Sequence, residues 1–127
     1  MPNLTLIRGL PGSGKTTLAR HLANATNAQH FEADMFFTHA DGTYSFDKAK
    51  LADAHAWCRE MTQTHLAKGR DVVVSNTFVR RWEMKPYLEM VSNPQIIVCC
   101  GDFGSTHDVP AEVINRMRDN WETICPA

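Results

Sequence analysis

The chain has 127 residues, of which 43% are hydrophobic and 21% charged, a composition that is typical of a globular domain and argues against a disordered or fibrous protein. Its formal net charge of −1 gives no overall attraction for nucleic-acid phosphates, which disfavours avid nonspecific DNA binding. At this length we expect one domain, residues 1–127, with little chain left for a separate substrate domain.

Cysteines and apolar segments bear on where the protein resides. The four cysteines form no CxxC pair and no zinc-type spacing, and Cys99 and Cys100 lie side by side in an apolar run. We therefore predict buried, reduced thiols, which are typical of cytosolic proteins. No apolar run approaches the ~20 residues that a membrane span needs, and residues 1–8 are too short for a signal peptide. The expectation is a soluble, cytoplasmic protein without membrane contact.

Strand-like and helical segments alternate along the chain. The β-branched run at residues 71–75 is typical of a strand covered on both faces, whereas apolar spacings of three and four residues predict helices. Asp47 can cap the long second helix, and Pro86 suits the start of a helix. In chain order, the predicted elements are strand 3–8, helix 15–24, strand 29–33, helix 47–68, strand 71–75, a short helix from about 86, strand 95–100 and helix 110–122.

This order of elements predicts both the architecture and the place of the binding site. Alternating strands and helices are typical of an α/β fold, here a three-layer sandwich with a central parallel sheet of about four strands. Ligands of such sheets bind at the carboxyl ends of the strands. Because Gly9, Asp34, Asn76 and Gly101 each follow a predicted strand, we expect them to surround one crevice.

Residues 9–16 match the pattern GxxxxGK[ST] at every fixed position, between a predicted strand and a predicted helix. In such a loop, glycines let successive backbone N–H groups surround a polyphosphate at the positive end of the helix. Lys15 would neutralise the β- and γ-phosphates, and Thr16 would bind Mg²⁺ through its hydroxyl. The motif predicts a P-loop for ATP, or another nucleoside triphosphate, with magnesium. The predicted nucleotide-binding residues are Gly9, Pro11, Gly12, Ser13, Gly14, Lys15, Thr16 and Thr17.

Asp34 lies within the apolar segment 31–37, where a carboxylate needs a chemical reason. It could accept the proton of an attacking hydroxyl or hold a water on the magnesium, because phosphoryl transfer requires a positioned nucleophile and neutralised charge. Alternatively, it could cap a helix that starts at Met35. We predict catalytic roles for Asp34 and Lys15.

Four segments, taken together, resemble one group of enzymes. They are residues 8–20, 31–37, 71–88 and 107–122, which read RGLPGSGKTTLAR, FEADMFF, DVVVSNTFVRRWEMKPYL and HDVPAEVINRMRDNWE. In this order they resemble the kinase domain of bacteriophage polynucleotide 5'-kinase and its relatives among AAA-type and zeta-toxin-like P-loop kinases. The resemblance implies a kinase-type P-loop sandwich, transfer of the ATP γ-phosphoryl group to a hydroxyl, a magnesium cofactor and a mobile lid that carries arginine. It also implies that Asp34 is the general base.

Several positions depart from that group. Many relatives have a second acidic residue where this chain has Met35, and the phage enzyme has a phosphate-contacting arginine where this chain has Phe37. Asn76 replaces the aspartate of a Walker B strand, so magnesium would depend chiefly on Thr16, phosphates and water. Residues 101–106 form a short lid segment without arginine. Recognition of the acceptor is therefore expected to differ.

Other cations must offset the charge of the transferring phosphoryl group. Arg80 and Arg81 follow the third predicted strand at the carboxyl edge of the sheet, where an arginine could act on the phosphates in cis. The alternative is that both are solvated side chains on a helix face. Arg116 and Arg118 are further candidates, although arginine is common on the polar face of an amphipathic helix. We include Arg80 and Arg81 among the predicted catalytic residues.

These features predict a kinase whose partners are ATP and a hydroxyl-bearing acceptor. The leading acceptor is a nucleic acid or nucleotide, at a 5'-hydroxyl end or at the hydroxymethyl group of a modified base in DNA. A small-molecule kinase for a sugar, nucleotide sugar or antibiotic shares the P-loop and the early aspartate, and the near-neutral charge and Phe37 favour it. A nucleotide-dependent ATPase or switch is a third class, which would suit the missing Walker B aspartate. The sequence does not predict an oligomeric state.

Overall fold

A computed structural model describes residues 2–101 and 109–123. In that part of the chain, strands alternate with helices as the sequence predicts. The strands are β1 (Leu4–Gly9), β2 (Gln29–Phe31), β3 (Val72–Asn76) and β4 (Gln95–Cys99). The helices are α1 (Lys15–Thr26), α2 (Leu51–Ala67), α3 (Arg81–Leu88) and α4 (Ala111–Asp119), and short 3₁₀ helices cover Ala33–Phe37 and Lys48–Lys50.

The four strands form one sheet in the order β2, β3, β1, β4, and every pair is parallel. Successive side chains of a strand point to opposite faces, and the two faces of this sheet are covered by different helices. On one face, buried side chains of β1 and β3 pack with α2 and α3. On the other, Ile7 and Val73 pack against Ala19 and Ala23 of α1. The first core includes Leu4, Leu6, Val72, Val74, Cys58 and Tyr87. The predicted three-layer α/β sandwich is confirmed.

The third helix begins earlier than predicted. It starts at Arg81 and contains Pro86, whereas Pro86 alone suggested a start at that residue. Two carboxylates fix the earlier start: Glu83 accepts the N–H of Arg80 at 2.8 Å, and Glu122 accepts the N–H of Arg81 at 2.7 Å. Both satisfy backbone donors that have no partner inside a helix, which offsets the single hydrogen bond that the proline removes.

Smaller differences concern element ends and thiols. β2 ends at Phe31, and the residues after it form a 3₁₀ helix instead of continuing the strand to residue 33. Cys58 is buried and Cys99 half-buried, but Cys100 is exposed, so the prediction of buried thiols is wrong for Cys100. The lid residues 102–106, His107 and Cys125 lie outside the described residues. Among the helices that are described, none is long and apolar enough to cross a membrane.

Candidate active site

The turn between β1 and α1 packs so closely that glycine is required at its first position. A Cβ atom on Gly9 would lie 2.9 Å from the carbonyl oxygen of Cys99 and would also collide with the Ser13 hydroxyl. At the end of the turn, Gly14 has a φ of 90°, a left-handed conformation that other residues rarely adopt. Glycine at these two positions of the P-loop is thus explained by a close approach at Gly9 and by the left-handed backbone of Gly14.

The N-terminus of α1 has the features of an anion site. Gly14 occupies the N-cap position, and no side chain of the described residues caps the helix there. The first-turn N–H groups therefore remain available to a ligand at the positive end of the helix. The hydroxyl of Ser13 is buried and has no hydrogen-bond partner among the described residues. A phosphate in the turn would supply acceptors to both.

Lys15 begins α1 and faces two carboxylates. Its Nζ lies 3.4 Å from the carbonyl oxygen of Leu10, which holds the ammonium group beside the turn. Burial lowers the pKa of Lys15, whereas the charges of Glu32 and Asp34 raise it and partly offset the burial. Lys15 and both acidic side chains line the same cleft.

Glu32 organises the residues beneath the P-loop, and the sequence analysis missed it. The hydroxyl of Thr16 donates to Glu32 Oε2 at 2.6 Å, and the hydroxyl of Ser75 donates to the same oxygen. His30 Nε2 lies 2.8 Å from Ser75 Oγ, and it is the donor because Ser75 gives its own proton to Glu32. Burial raises the pKa of Glu32, but these hydrogen bonds and His30 bring it below its ordinary value. An acidic residue directly after β2, two positions before Asp34, was the available signal.

Asp34 lies in the 3₁₀ helix that follows β2. The hydroxyl of Tyr44 donates to Asp34 Oδ1 at 3.1 Å. Burial, together with the negative charge of Asp34, raises the pKa of Tyr44 to about 12. The N-cap position of this helix belongs to Glu32, so the alternative in which Asp34 caps a helix at Met35 is not what the structure shows.

Asn76 at the end of β3 forms a hydrogen bond with the segment that carries Asp34. Its Oδ1 accepts the N–H of Ala33 at 2.9 Å, and its Nδ2 lies 3.7 Å from the sulfur of Cys58. The side chain that stands where a Walker B aspartate was expected therefore forms two contacts within the protein. Its structural effect is to fix the start of the 3₁₀ helix against the sheet.

The structure brings one of the two predicted arginines to the cleft. Arg80 lines it, and its Nη2 donates to Asn120 Oδ1 at 2.8 Å. Its Nη1 also lies 3.9 Å from Glu122 Oε2. Arg81 is exposed and is not among the described residues that line the cleft. Of the two further candidates, Arg116 lines the cleft, whereas Arg118 donates a hydrogen bond from Nη1 to Asn115 Oδ1.

The cleft that these residues share has a volume of about 1190 Å³ and lies at the carboxyl edge of the sheet. This exceeds the volume of a typical drug-sized ligand pocket, roughly 300–1,000 Å³, so it has room for more than one small molecule. Among the described residues, no group of three or more His, Cys, Asp or Glu side chains could hold a metal ion. The P-loop side of the cleft is formed by Pro11, Gly12, Gly14, Lys15, Thr16 and Thr17.

A four-stranded parallel sheet, a P-loop and a carboxylate after the second strand define a P-loop kinase-like domain. The chain belongs to the AAA domain family, which it matches over residues 4–103. The human NEDD4-binding protein 2 is 35% identical over 88 residues, which cover 68% of this chain. The chain spans only 5% of that relative's length. The predicted resemblance to P-loop kinases is confirmed.

Solved structures with the same fold include kinases of several kinds. A gluconokinase from Sinorhizobium meliloti 1021 superimposes with a TM-score of 0.69 at 16% identity, over 96% of this chain and 76% of that one. The Pnkp1/Rnl/Hen1 complex contains a chain with a TM-score of 0.63 at 18% identity, over 91% of this chain and 38% of that one. The APS kinase CysC from Mycobacterium tuberculosis gives 0.59 at 12% identity, over 94% and 96% of the two chains. These similarities establish the fold.

Proposed function

We propose that the protein is an ATP-dependent kinase that transfers the γ-phosphoryl group to a hydroxyl of a nucleic acid or nucleotide, such as a 5'-hydroxyl end or a hydroxymethylated base in DNA. The observation that carries the proposal is that Lys15 and Asp34 line one cleft and interact electrostatically. A phosphate-binding ammonium and a carboxylate able to take a proton would then face the same reacting group.

The residues of the P-loop fit a nucleoside triphosphate with magnesium. The uncapped N-terminus of α1 and the buried hydroxyl of Ser13 supply donors to phosphate oxygens. The hydroxyl of Thr16 would hold Mg²⁺, and Glu32 would orient that hydroxyl and a metal-bound water. The ion, when bound, neutralises charge on the β- and γ-phosphates.

In the proposed reaction, three side chains act on the phosphoryl group and the acceptor hydroxyl. Asp34 accepts the proton of the acceptor hydroxyl while the new O–P bond forms and the bond from the γ-phosphorus to the bridging oxygen breaks. ADP leaves, and the proton passes from Asp34 to solvent. Lys15 and Arg80 offset the negative charge that moves onto the bridging and equatorial oxygens.

Cations that line the cleft outside the P-loop sequence favour an acceptor that carries phosphate. Lys48 and Arg116 line this cleft in addition to Arg80, although the net charge of the chain is only −1. Such cations can bind the phosphates of a short acceptor without broad affinity for nucleic acid. The Pnkp1 assembly with the same fold is an RNA repair complex, which is consistent with this acceptor class.

The test is transfer of label from γ-labelled ATP to a panel of acceptors in the presence of magnesium. The panel contains 5'-hydroxyl DNA and RNA, hydroxymethylated DNA, nucleosides, gluconate and other sugars. We expect labelled nucleic acid or nucleotide with the wild-type protein and with Lys85→Ala, whose exposed lysine lies outside the cleft, but none with Lys15→Ala. Label on a sugar alone would establish a small-molecule kinase, and release of phosphate without any labelled acceptor would establish an ATPase.

A further inference from the structure

We infer that Phe46 is the stacking surface for the base of the nucleoside whose hydroxyl is phosphorylated. The inference rests on the proposed function and names what its acceptor site recognises: a planar heterocycle beside the reacting hydroxyl. Phe46 lines the same cleft as Lys15 and Asp34, and it is 51% exposed there. A large apolar ring that faces solvent inside a cleft is a candidate ligand contact.

The ring of Phe46 packs against a buried aromatic residue. It packs on Phe37 with 5.1 Å between ring centroids and an angle of 65° between the planes. Phe37 is itself only 4% exposed and packs on Tyr44 at 6.3 Å. Such edge-to-face contacts are favourable beyond the burial of area. One side of Phe46 is therefore held by the protein core, and the other is open to the cleft.

The loop before Phe46 connects this ring to Asp34, the predicted general base. Residues 38–44 fold back through a bridge between Thr38 and Tyr44, and the N–H of Ser45 donates to the carbonyl oxygen of Phe37 at 2.9 Å. This hydrogen bond fixes the residue directly before Phe46. Tyr44, two residues before Phe46, donates to Asp34. An acceptor whose hydroxyl reaches Asp34 thus has an aromatic face on the same wall of the cleft.

The Phe46 ring is suited to stacking against a nucleobase. A phenyl ring offers a π face and no hydrogen-bond partner, and every base can stack on such a face whatever its sequence. Lys48, two residues after Phe46, lines the cleft as well and supplies a cation for an adjacent phosphate.

Phe36 provides a matched control. Its ring is 38% exposed and lies 5.5 Å from that of Phe37, so it belongs to the same aromatic cluster. It is not among the described residues that line the cleft. Loss of its ring disturbs the cluster without removing a cleft surface.

The experiment compares two oligonucleotides that end in the same 5'-hydroxyl, one with a base on its first nucleotide and one that is abasic there. The readout is kcat/KM for each oligonucleotide with wild type, Phe46→Ala, Phe46→Tyr and Phe36→Ala. Wild type is expected to prefer the base by roughly 5- to 100-fold, the range that stacking on one ring supplies. Phe46→Ala should lose most of this preference while the abasic rate and the KM for ATP stay within about twofold. Phe46→Tyr and Phe36→Ala should keep it.

The outcomes separate this inference from the proposed function. Transfer to oligonucleotides with an unchanged base preference in Phe46→Ala, or an equal loss in Phe36→Ala, overturns the role of Phe46 and leaves the kinase assignment intact. If wild type labels no oligonucleotide but labels a sugar, the nucleic-acid acceptor itself is wrong and the inference falls with it. Titration of a 5'-hydroxyl dinucleotide into protein saturated with a non-hydrolysable ATP analogue gives a second readout. Binding there should weaken in Phe46→Ala and not in Phe36→Ala.

Discussion

The guanidinium carbon of Arg8 lies 3.9 Å from the centroid of the Trp121 ring, and Arg8 is completely buried. Arg8 directly precedes Gly9 of the P-loop, and Trp121 follows α4. The same guanidinium donates from Nε and Nη2 to the carbonyl oxygen of Phe78, at 3.1 and 2.6 Å, and from Nη2 to that of Val79 at 3.2 Å. One cation therefore joins the start of the nucleotide site to the segment that leads to Arg80.

Arg8 is predicted to stabilise a strained turn. Phe78 has a φ of 47°, which is costly for a bulky side chain, and two of the three hydrogen bonds go to its carbonyl oxygen. Arg8→Met should lower the free energy of unfolding by about 2–4 kcal/mol, because charge-assisted hydrogen bonds and the contact with Trp121 are lost together. Urea denaturation measures this change. Arg20→Met, at an exposed site on α1, is the control, and a loss in Arg8→Met no larger than in that variant would contradict the account.

Asp34 is predicted to act on the acceptor and not on ATP. Asp34→Asn keeps the shape of the side chain and can still accept a hydrogen bond from Tyr44, but it cannot take a proton from the acceptor hydroxyl. Turnover should fall by roughly 10²-fold or more while the Kd for ATP stays nearly unchanged. Single-turnover kinetics and equilibrium binding of ATP give the two values. Equal losses in both would instead assign Asp34 to nucleotide or metal binding.

Glu32 is predicted to set the affinity for magnesium through Thr16. Glu32→Gln removes the negative charge beside the Thr16 hydroxyl but preserves the volume of the side chain. Loss of a group that orients a metal ligand typically weakens metal binding by about 10- to 100-fold, so a higher magnesium concentration should be needed for half-maximal activity. Glu60→Gln, on the exposed face of α2, serves as the control. An unchanged magnesium dependence would show that Glu32 has only a structural role.

Glu32 should also contribute to acid sensitivity. Its folded-state pKa is lowered from 4.5, so it binds its proton less readily in the folded protein than in the unfolded chain. Its contribution to stability is present above that ordinary value and is lost as the pH falls through the lower folded-state pKa. Urea denaturation from pH 7 to pH 3 should therefore show a smaller loss of stability in Glu32→Gln than in wild type. Identical profiles would contradict the shift.

Arg80 and Arg81 are adjacent in the chain, and their alanine variants are predicted to differ in kcat. Their backbone N–H groups, which start α3, remain in either alanine variant, so helix α3 should persist in both. Of these two side chains, only that of Arg80 lines the cleft. Arg80→Ala should therefore lower kcat by roughly 10²- to 10³-fold, the range for removal of a charge-stabilising donor, whereas Arg81→Ala should stay near wild type. Steady-state kinetics with saturating ATP tests this. A larger loss of kcat in Arg81→Ala than in Arg80→Ala would contradict this prediction and assign the catalytic role to Arg81.

The parts of the fold that sequence predicted are those encoded locally. The β-branched run before Asn76 and the glycine pattern from Gly9 to Thr16 each depend on neighbouring residues, so the strands and the P-loop could be located without a structure. The start of α3 could not, because one of the two carboxylates that fix it, Glu122, lies about forty residues further along the chain. The start predicted from Pro86 alone therefore came too late in the chain.

The positions of several predicted site residues depend on the same kind of local signal. Lys15, Thr16 and Asp34 each follow a recognisable strand end, and the structure brings them to one cleft. Glu32 was missed because its hydrogen-bond partners, the hydroxyls of Thr16 and Ser75, belong to α1 and β3 and reach it only in the folded chain. The burial of Arg8 likewise depends on long-range contacts that no local pattern contains.

The most direct test of the central claim is a balance of products for the wild-type protein with ATP, magnesium and a 5'-hydroxyl oligonucleotide. ADP, free phosphate and phosphorylated oligonucleotide are measured in the same reaction. The account predicts one phosphorylated acceptor for each ADP, with little free phosphate, and dependence of both products on Lys15 and Asp34. One free phosphate for each ADP, with no phosphorylated oligonucleotide, would contradict it, because the cleft would then hydrolyse ATP without transferring the phosphoryl group to this acceptor.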